Sequence, residues 1–223
     1  MFQSGLFSDK TVLVTGGGSG IGFEIAKQFL LLGAEVYIGS RNQERIEEAL
    51  IKLHQYGNCK AFRLDIRETE SIQHLADMIE AQSGKLDILI NNAGGQFPSP
   101  AEAISPKGFG AVVNNNLNGT WNVIHEMANR FFLKQQNGNI VNIVVNNYRG
   151  FAGMSHTGAA RAGVQNLSMS LAVEWATRGI NINCIAPGII RSNPDLHRSR
   201  RPDKARPTHR FEPPSWPSRA ATR

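Results

Sequence analysis

The chemistry of this chain centres on a glycine-rich turn near its N-terminus, Thr15-Gly16-Gly17-Gly18-Ser19-Gly20-Ile21-Gly22. An apolar run at 11–14 precedes the turn, and a helical pattern over 20–32 follows it. Gly16 allows a tight turn, Gly20 lets a pyrophosphate approach backbone N–H groups, and Gly22 lets the helix pack closely on a sheet. The free amides and partial positive charge of the helix N-terminus favour phosphate. Strand, turn and helix in this order predict a dinucleotide-binding element.

The residues after the second apolar run bear on which dinucleotide the turn would hold. Proteins that bind NAD place a carboxylate there, which accepts a hydrogen bond from the ribose 2′-OH. This chain has Ser40 and Arg41 instead. A hydroxyl and a guanidinium suit a 2′-phosphate, so the sequence predicts NADPH as the cofactor. Under the alternative interpretation, Arg41 is a solvated loop residue.

Short apolar segments alternate with helical patterns along most of the chain. The segments are rich in Val, Ile or Leu, as strands buried on both faces are. Strands are predicted at 11–15, 35–39, 60–64, 87–91, 139–145 and 180–185. Helices are predicted at 20–32, 43–55, 68–83, 109–135 and 156–178. The alternation predicts an α/β fold, with a doubly wound parallel Rossmann sheet of six strands in the order 3-2-1-4-5-6.

Composition divides the 223 residues into a folded domain, 1–190, and a tail, 191–223. The tail holds six of the ten prolines and nine Lys and Arg against three Asp and Glu. It therefore carries the whole net charge of +6, because residues 1–190 hold fifteen charges of each sign. We expect the tail to be disordered. The basic balance gives no ground for a nucleic-acid-binding function of the folded domain.

The compartment is predicted from cysteines and targeting segments. Cys59 and Cys184 lie far apart without metal-ligand spacing, which predicts buried thiols in a reducing compartment and no metal site. The N-terminus resembles no signal peptide, and no apolar run reaches the ~20 residues of a membrane span. The last residues, Ala-Ala-Thr-Arg, are not a peroxisomal signal. These observations favour a soluble, cytoplasmic protein.

Three further motifs lie at the ends of predicted strands and in a predicted helix. Asn91-Asn92-Ala93-Gly94 ends the fourth predicted strand, Asn114-Asn115-Asn116-Leu117-Asn118-Gly119 lies in the fourth predicted helix, and Ala186-Pro187-Gly188 follows the sixth strand. With the glycine turn, this set and its spacing from residue 9 to about 190 resemble the short-chain dehydrogenase/reductases. The resemblance implies a nicotinamide cofactor on the predicted fold.

Two longer segments narrow the resemblance. They are Asn91-Asn92-Ala93-Gly94-Gly95-Gln96-Phe97, whose doubled glycine is unusual for the superfamily, and His156-Thr157-Gly158-Ala159-Ala160-Arg161-Ala162-Gly163-Val164. They resemble the enoyl- and dienoyl-CoA reductase branch, especially peroxisomal-type trans-2-enoyl-CoA reductases and their bacterial relatives. That resemblance implies NADPH, a fatty acyl-CoA substrate, reduction of the double bond next to the thioester, and a homo-oligomer.

The resemblance also assigns cofactor-binding residues. Asp65 would bond the adenine edge, although it could instead cap the helix predicted at 68–83. Asn91 and Gly94 would lie along the cofactor. The whole predicted cofactor set is Thr15, Gly16, Gly18, Ser19, Gly20, Ile21, Gly22, Ser40, Arg41, Asp65, Asn91, Ala93, Gly94, Pro187 and Gly188.

The catalytic residues of the superfamily are only partly present. The usual set is a Tyr that donates a proton, a Lys that lowers the pKa of that Tyr, a Ser and an Asn. The only Lys after residue 134 is Lys204, in the tail, so the usual Lys is absent. The Tyr and Lys positions fall on Thr157 and Arg161 in one register, or on Gln165 and Met169 in another. Val144 and Val145 occupy the Ser position, and Asn116 alone matches.

Tyr148 is the one tyrosine near the expected site. Dienoyl-CoA reductases carry their acid on this loop, so Tyr148 is a candidate proton donor, with Arg161 as the nearby cation. Asn116 would donate a hydrogen bond to the developing enolate. His156 is an alternative acid, and Tyr148 could instead be an exposed loop aromatic. The catalytic candidates are Asn116, Tyr148 and Arg161.

Departures from the family leave a second function open. The segment after residue 190 does not resemble the substrate-covering helix and seventh strand of the family. The alternative function is therefore a catalytically impaired relative that binds a nucleotide. We also expect the strand at 180–185 to be an uncovered sheet edge that invites association.

Overall fold

The computed structural model of the protein describes residues 2–188 and 190. Six strands form one parallel sheet in the order β3-β2-β1-β4-β5-β6, which confirms the predicted fold, strand number and strand order. The strands are β1 Thr11–Thr15, β2 Glu35–Ser40, β3 Cys59–Arg63, β4 Ile88–Asn91, β5 Gly138–Ile143 and β6 Ile180–Ile185. The tail predicted at 191–223 lies outside the described residues.

Seven α-helical segments connect the strands. They are α1 Gly20–Leu31, α2 Gln43–Leu53, α3 Thr69–Ser83, α4 Pro106–Val113, α5 Gly119–Met127, α6 Leu133–Gln135 and α7 Ser155–Trp175. Two π-helical turns, Asn114–Asn118 and Ala128–Phe132, join α4, α5 and α6 into the one helix predicted at 109–135. None of the helices within the described residues combines the length and apolar character needed to cross a membrane.

The core has two halves, one on each face of the sheet. Val12, Val14 and Ile38 pack against α1 and α2 on one face. Leu13, Leu89 and Ile140 pack against α3, α5 and α7 on the other. Neighbouring strand residues are buried on opposite faces because side chains alternate along a strand. This is the reason that the central strands β1 and β4 are mostly apolar along their whole length.

The outer part of the first face holds an apolar groove of about 910 Å³. It runs between α1 and the side chains of Ile90, Val141, Ile143 and Ile185. The prediction that both cysteines are buried is wrong for Cys184, which is exposed on β6, the outermost strand of the described sheet. Cys59 is buried, and burial raises the pKa of its thiol to about 12.

Gly22→Ala tests the close packing of α1 on the glycine turn. A Cβ at this position would lie 2.5 Å from both Gly16 O and Asn92 Nδ2, so the backbone or the asparagine must shift. We expect the free energy of unfolding in urea to fall by about 1–3 kcal/mol.

Gly110→Ala in α4 is the matched control, because a Cβ there meets nothing within 4 Å. Alanine's helix propensity should make this change neutral or stabilising by up to about 1 kcal/mol. An unfolding midpoint of Gly22→Ala equal to that of wild type would contradict the packing.

Candidate active site

Hydrogen bonds tie the glycine turn after β1 to the loop after β4. Thr15 Oγ1 accepts from the backbone N–H groups of Asn92 (3.1 Å) and Ala93 (3.0 Å). Asn92 Nδ2 donates back to Thr15 O (3.0 Å) and Gly16 O (3.3 Å). Gly16 and Gly20 have φ values of 69° and 57°, a conformation that glycine adopts without strain. Sequence reasoning placed Asn92 in a motif but missed this role.

A cleft of about 370 Å³ opens between these two segments, at the carboxyl ends of the strands. Eight residues of the predicted cofactor set line it: Gly16, Ser19, Gly20, Ile21, Ser40, Arg41, Ala93 and Gly94. The lining residues that the sequence reasoning did not assign to the cofactor include Gly39, Arg45, Leu64, Ile66, Asn92, Asn115 and Ile190. The geometry therefore brings the glycine turn, the end of β2 and the start of the β4 loop into one cavity.

The other predicted cofactor residues lie around this cleft rather than in its lining. Thr15 bonds the turn to the β4 loop, and Gly22 packs against Gly16 and Asn92. Gly18 lies beside Ser40. Pro187 lines the apolar groove, and Gly188 is exposed. Asn91 is buried at the end of β4, where its Nδ2 donates to Asn142 Oδ1 (2.9 Å).

Asp65 follows β3 and is engaged by Arg67. Its Oδ1 accepts from Arg67 N (3.1 Å) and Nε (2.9 Å), and its Oδ2 accepts from Arg67 Nη2 (2.5 Å). The Arg67 guanidinium holds the pKa of this carboxyl below its usual range, and Arg41 contributes in the same direction. Asp65 does not cap α3, whose N-cap residue is Glu68.

Asn116 lies in the first π-helical turn and is fully buried. Its Nδ2 donates to Gly95 O (2.7 Å) and Val112 O (2.9 Å), and its Oδ1 accepts from Gly95 N (3.3 Å). Both amide hydrogens are therefore engaged, and the side chain holds the β4 loop by its backbone. In this arrangement Asn116 has no free N–H for an enolate oxygen.

Arg161 comes to the same loop from α7. A Cβ on Gly94 would overlap the guanidinium of Arg161 and the Oδ1 of Asn116, so the doubled glycine makes room for them. Arg161 is only 6% exposed, and its Nη1 has no hydrogen-bond partner among the described residues. Burial lowers the pKa of this guanidinium to about 10, which leaves it charged at neutral pH. The structure thus brings Arg161 and Asn116 together.

Tyr148 is not brought to this pair. It lies on the loop between β5 and α7, its side chain is 90% exposed, and its hydroxyl forms no hydrogen bond with the described residues. His156 is fully buried at the start of α7, with its Nδ1 2.9 Å from Thr157 N and its ring edge-on to Phe97. The second register is not supported by burial, because Met169 is 62% exposed.

A buried polar relay that sequence reasoning missed crosses the sheet below the site. Asn142 accepts from Asn91 and donates through Nδ2 to Ser168 Oγ (2.8 Å). Cys184 Sγ donates to the same Ser168 Oγ at 3.1 Å. The available signal was an asparagine inside the apolar strand β5, since a buried amide requires polar partners.

Comparison with known proteins places this geometry in a family. The family model for short chain dehydrogenases matches residues 10–204. A peroxisomal 2,4-dienoyl-CoA reductase of Rattus norvegicus is 39% identical over 89% of this chain and 68% of its own length. A probable 2,4-dienoyl-CoA reductase of Bacillus subtilis is also 39% identical, over 81% of this chain and 72% of its own.

A solved structure agrees with these sequence matches. The citronellol catabolism dehydrogenase of Pseudomonas aeruginosa superposes with a TM-score of 0.81 and 40% identity, over 84% of this chain and 77% of its own. The family implies a nicotinamide cofactor. The chain belongs to the short chain dehydrogenase family, as its glycine turn, β4 loop and strand order predicted.

Proposed function

We propose that the chain binds NADPH and reduces the conjugated double bond of an unsaturated fatty acyl-CoA. The observation that carries the proposal is the buried charge of Arg161, held against the β4 loop that borders the glycine-turn cleft. A buried cation without a partner is costly, and a ligand that brings negative charge offsets that cost. The proposed dinucleotide site is the cleft that Gly16, Gly20 and Gly94 line.

Some residues of the proposed site bind the cofactor, and others act on the substrate. Bound NADPH supplies a hydride. The backbone of the glycine turn and the N-terminus of α1 bind phosphates, while Ser40 and Arg41 face the 2′-phosphate. Asn116 is a positioning residue that fixes the Gly94–Gly95 backbone. Arg161 stabilises the negative charge that develops on the thioester oxygen, because a preorganised cation in a water-poor site acts strongly on such charge.

The proton for the second carbon of the acyl chain must come from an acid. We assign this role to Tyr148, whose loop joins β5 to the helix that carries Arg161. The names of the relatives support a 2,4-dienoyl-CoA as the substrate, whereas the motif resemblance supports a 2-enoyl-CoA. Both thioesters place a developing enolate at the same carbonyl, so the same residues serve both reactions.

A second candidate function is dinucleotide binding without turnover. It is favoured by Val144 and Val145 in place of the usual serine, and by the exposure of Tyr148 away from Arg161. NADPH binding combined with no turnover of either acyl-CoA class would support it.

Cofactor preference is the first prediction. We expect NADPH to bind about ten- to a hundredfold more tightly than NADH, because a charge-assisted hydrogen bond to the 2′-phosphate contributes ~1.5–3 kcal/mol. Arg41→Ala should remove most of this difference in a fluorescence titration with both nucleotides.

Arg178→Ala is the control for Arg41→Ala. Arg178 is also an exposed arginine, but it precedes β6 at the opposite edge of the sheet. Equal affinity of wild type for the two nucleotides would contradict the predicted preference.

The proton donor is the second prediction. Tyr148→Phe should lower kcat for 2-enoyl-CoA or 2,4-dienoyl-CoA reduction by at least ~100-fold, the scale of a lost general acid. Tyr56→Phe removes a hydroxyl near α2 and should leave kcat unchanged. Undiminished turnover by Tyr148→Phe would indicate that His156 or water, and not Tyr148, donates the proton.

Arg161 gives a prediction in which stability and function move in opposite directions. The lowered pKa means that the folded state bears a desolvation cost at pH 7, which is relieved only as the pH rises above about 10. Arg161→Met keeps the length and removes the charge, so we expect it to unfold at higher urea, by about 1–4 kcal/mol, and to lose reductase turnover.

Arg178→Met is the control for this change, because an exposed arginine carries no desolvation cost. It should leave both the unfolding midpoint and the turnover unchanged. Arg161→Met that is less stable than wild type would show that the guanidinium has a stabilising partner.

A further inference from the structure

We infer that His156 is a positioning residue, whose imidazole holds the phenyl ring of Phe97 in one orientation on the β4 loop. The inference rests on the proposed reduction of an acyl-CoA, and it gives His156 a role other than that of a proton donor. Phe97 lies three residues after Gly94, which packs against the guanidinium of Arg161. A ring held on this loop therefore borders the site that we propose for the thioester.

Backbone hydrogen bonds fix the β4 loop on both sides of Phe97 without fixing its side chain. Gly95, two residues before it, is bonded through N and O to the Asn116 amide (3.3 and 2.7 Å). Ser99 N, two residues after it, donates to Gly153 O at 2.8 Å. Because both anchors act on the backbone, the direction of the Phe97 ring depends on the residues that contact the ring.

The ring of Phe97 packs against His156 and Gly108. The imidazole lies perpendicular to the phenyl ring, with 4.5 Å between the ring centroids, a geometry in which the edge of one ring attracts the face of the other. A Cβ on Gly108 would lie 3.2 Å from Phe97 Cζ, so the absence of a side chain there leaves room for the ring. Phe97 is still 41% exposed, which leaves part of it open to a ligand.

The imidazole is itself held by the first turn of α7. His156 is fully buried, and its Nδ1 accepts from Thr157 N at 2.9 Å. This bond requires an unprotonated Nδ1, so the hydrogen of the neutral ring lies on Nε2. His156 Nε2 has no hydrogen-bond partner in the part of the chain that the structure describes. A ring that is oriented by the backbone and enclosed in this way suits a packing surface better than a proton donor.

An ordered Phe97 ring matters for the substrate rather than for the cofactor. Neither Phe97 nor His156 is among the described residues that line the glycine-turn cleft. Without the imidazole the phenyl ring can take several orientations, and a bound acyl-CoA must then order it at an entropic cost. Loss of the contact should therefore weaken the complex with acyl-CoA and leave dinucleotide affinity unchanged.

Two substitutions separate the ring of His156 from its hydrogen bond. His156→Asn keeps a short acceptor and removes the ring, whereas His156→Phe keeps a ring and removes the acceptor. Thr157 N also donates to Met154 O (2.9 Å), so it stays bonded in both variants. We expect His156→Asn to raise KM for 2-enoyl-CoA or 2,4-dienoyl-CoA about fivefold, with kcat and NADPH affinity within about twofold of wild type. His156→Phe should keep all three constants within about twofold.

Phe97→Ala removes the other partner of the contact, and the exposure of Phe97 favours a variant that folds. It should raise KM at least as much as His156→Asn does. Adding His156→Asn to it should raise KM no further, because the two residues act through one contact.

His125→Asn is the matched control. His125 also packs on an aromatic ring, that of Trp121, with 5.3 Å between the ring centroids, but it lies on the exposed face of α5. Its loss should change neither KM nor NADPH affinity. Urea unfolding of each variant confirms that it is folded.

A second readout does not depend on turnover. In NMR spectra of protein with ¹³C-labelled phenylalanine rings, the resonances that disappear in Phe97→Ala identify Phe97. We expect them to shift or broaden in His156→Asn and to stay unchanged in His125→Asn.

The outcomes separate this inference from the proposed function. Phe97 resonances that are identical in His156→Asn and wild type overturn the hold of His156 on the ring. A kcat lowered about 100-fold in His156→Phe overturns the positioning role, because it identifies His156 as the acid. A wild type that reduces neither acyl-CoA class, with Phe97 resonances that move in His156→Asn, overturns the proposed function while the hold on the ring stands.

Discussion

The tie between Thr15 and Asn92 is the contact on which the site depends. β1 and β4 are neighbours in the sheet although they are distant in sequence, so the chain leaves their carboxyl ends in different directions. A crevice forms at such a switch point, and its width is set by whatever joins the two loops. Here one hydroxyl and one side-chain amide join them with four hydrogen bonds. The absence of a side chain at Gly22 follows from this tie, because a Cβ there would occupy the space of the Asn92 amide.

Unsatisfied polar atoms are concentrated at the site. Three buried side-chain atoms of the described residues lack a partner: Asn91 Oδ1, His156 Nε2 and Arg161 Nη1. One lies at the end of β4 and two lie in the first half of α7, while the side chains of Asn142 and Ser168 are hydrogen-bonded. A buried polar atom without a partner costs about 1–3 kcal/mol. These costs therefore fall near the carboxyl edge of the sheet and not at its base.

Sequence patterns predicted the central strands β1, β2 and β4 because each is an apolar run that is buried on both faces. The helix predicted from 109 begins earlier, at Pro106, because Ser105 caps it and proline suits the first helical turn, a local signal that was overlooked. The role of Asn92 could not be predicted in the same way. It acts through a partner that is distant in sequence, and only the assembled sheet brings Asn92 to Thr15. Cys184 was wrongly predicted to be buried although the predicted strand order already placed its strand at the edge of the sheet.

The doubled glycine of the β4 loop and the arginine of α7 are best understood together. Arg161 carries a planar, branched group, which needs more room than the ammonium of a lysine. Gly94 provides that room, since any Cβ would overlap the guanidinium. The following residue, Gly95, is held through both its N–H and its C=O by Asn116, so the loop cannot move away from the arginine. The π-helical turn that carries Asn116 widens the helix locally and lets its side chain reach the loop while still bonding Val112 O. The β4 loop and the helix that carries Asn116 therefore accommodate a buried guanidinium together.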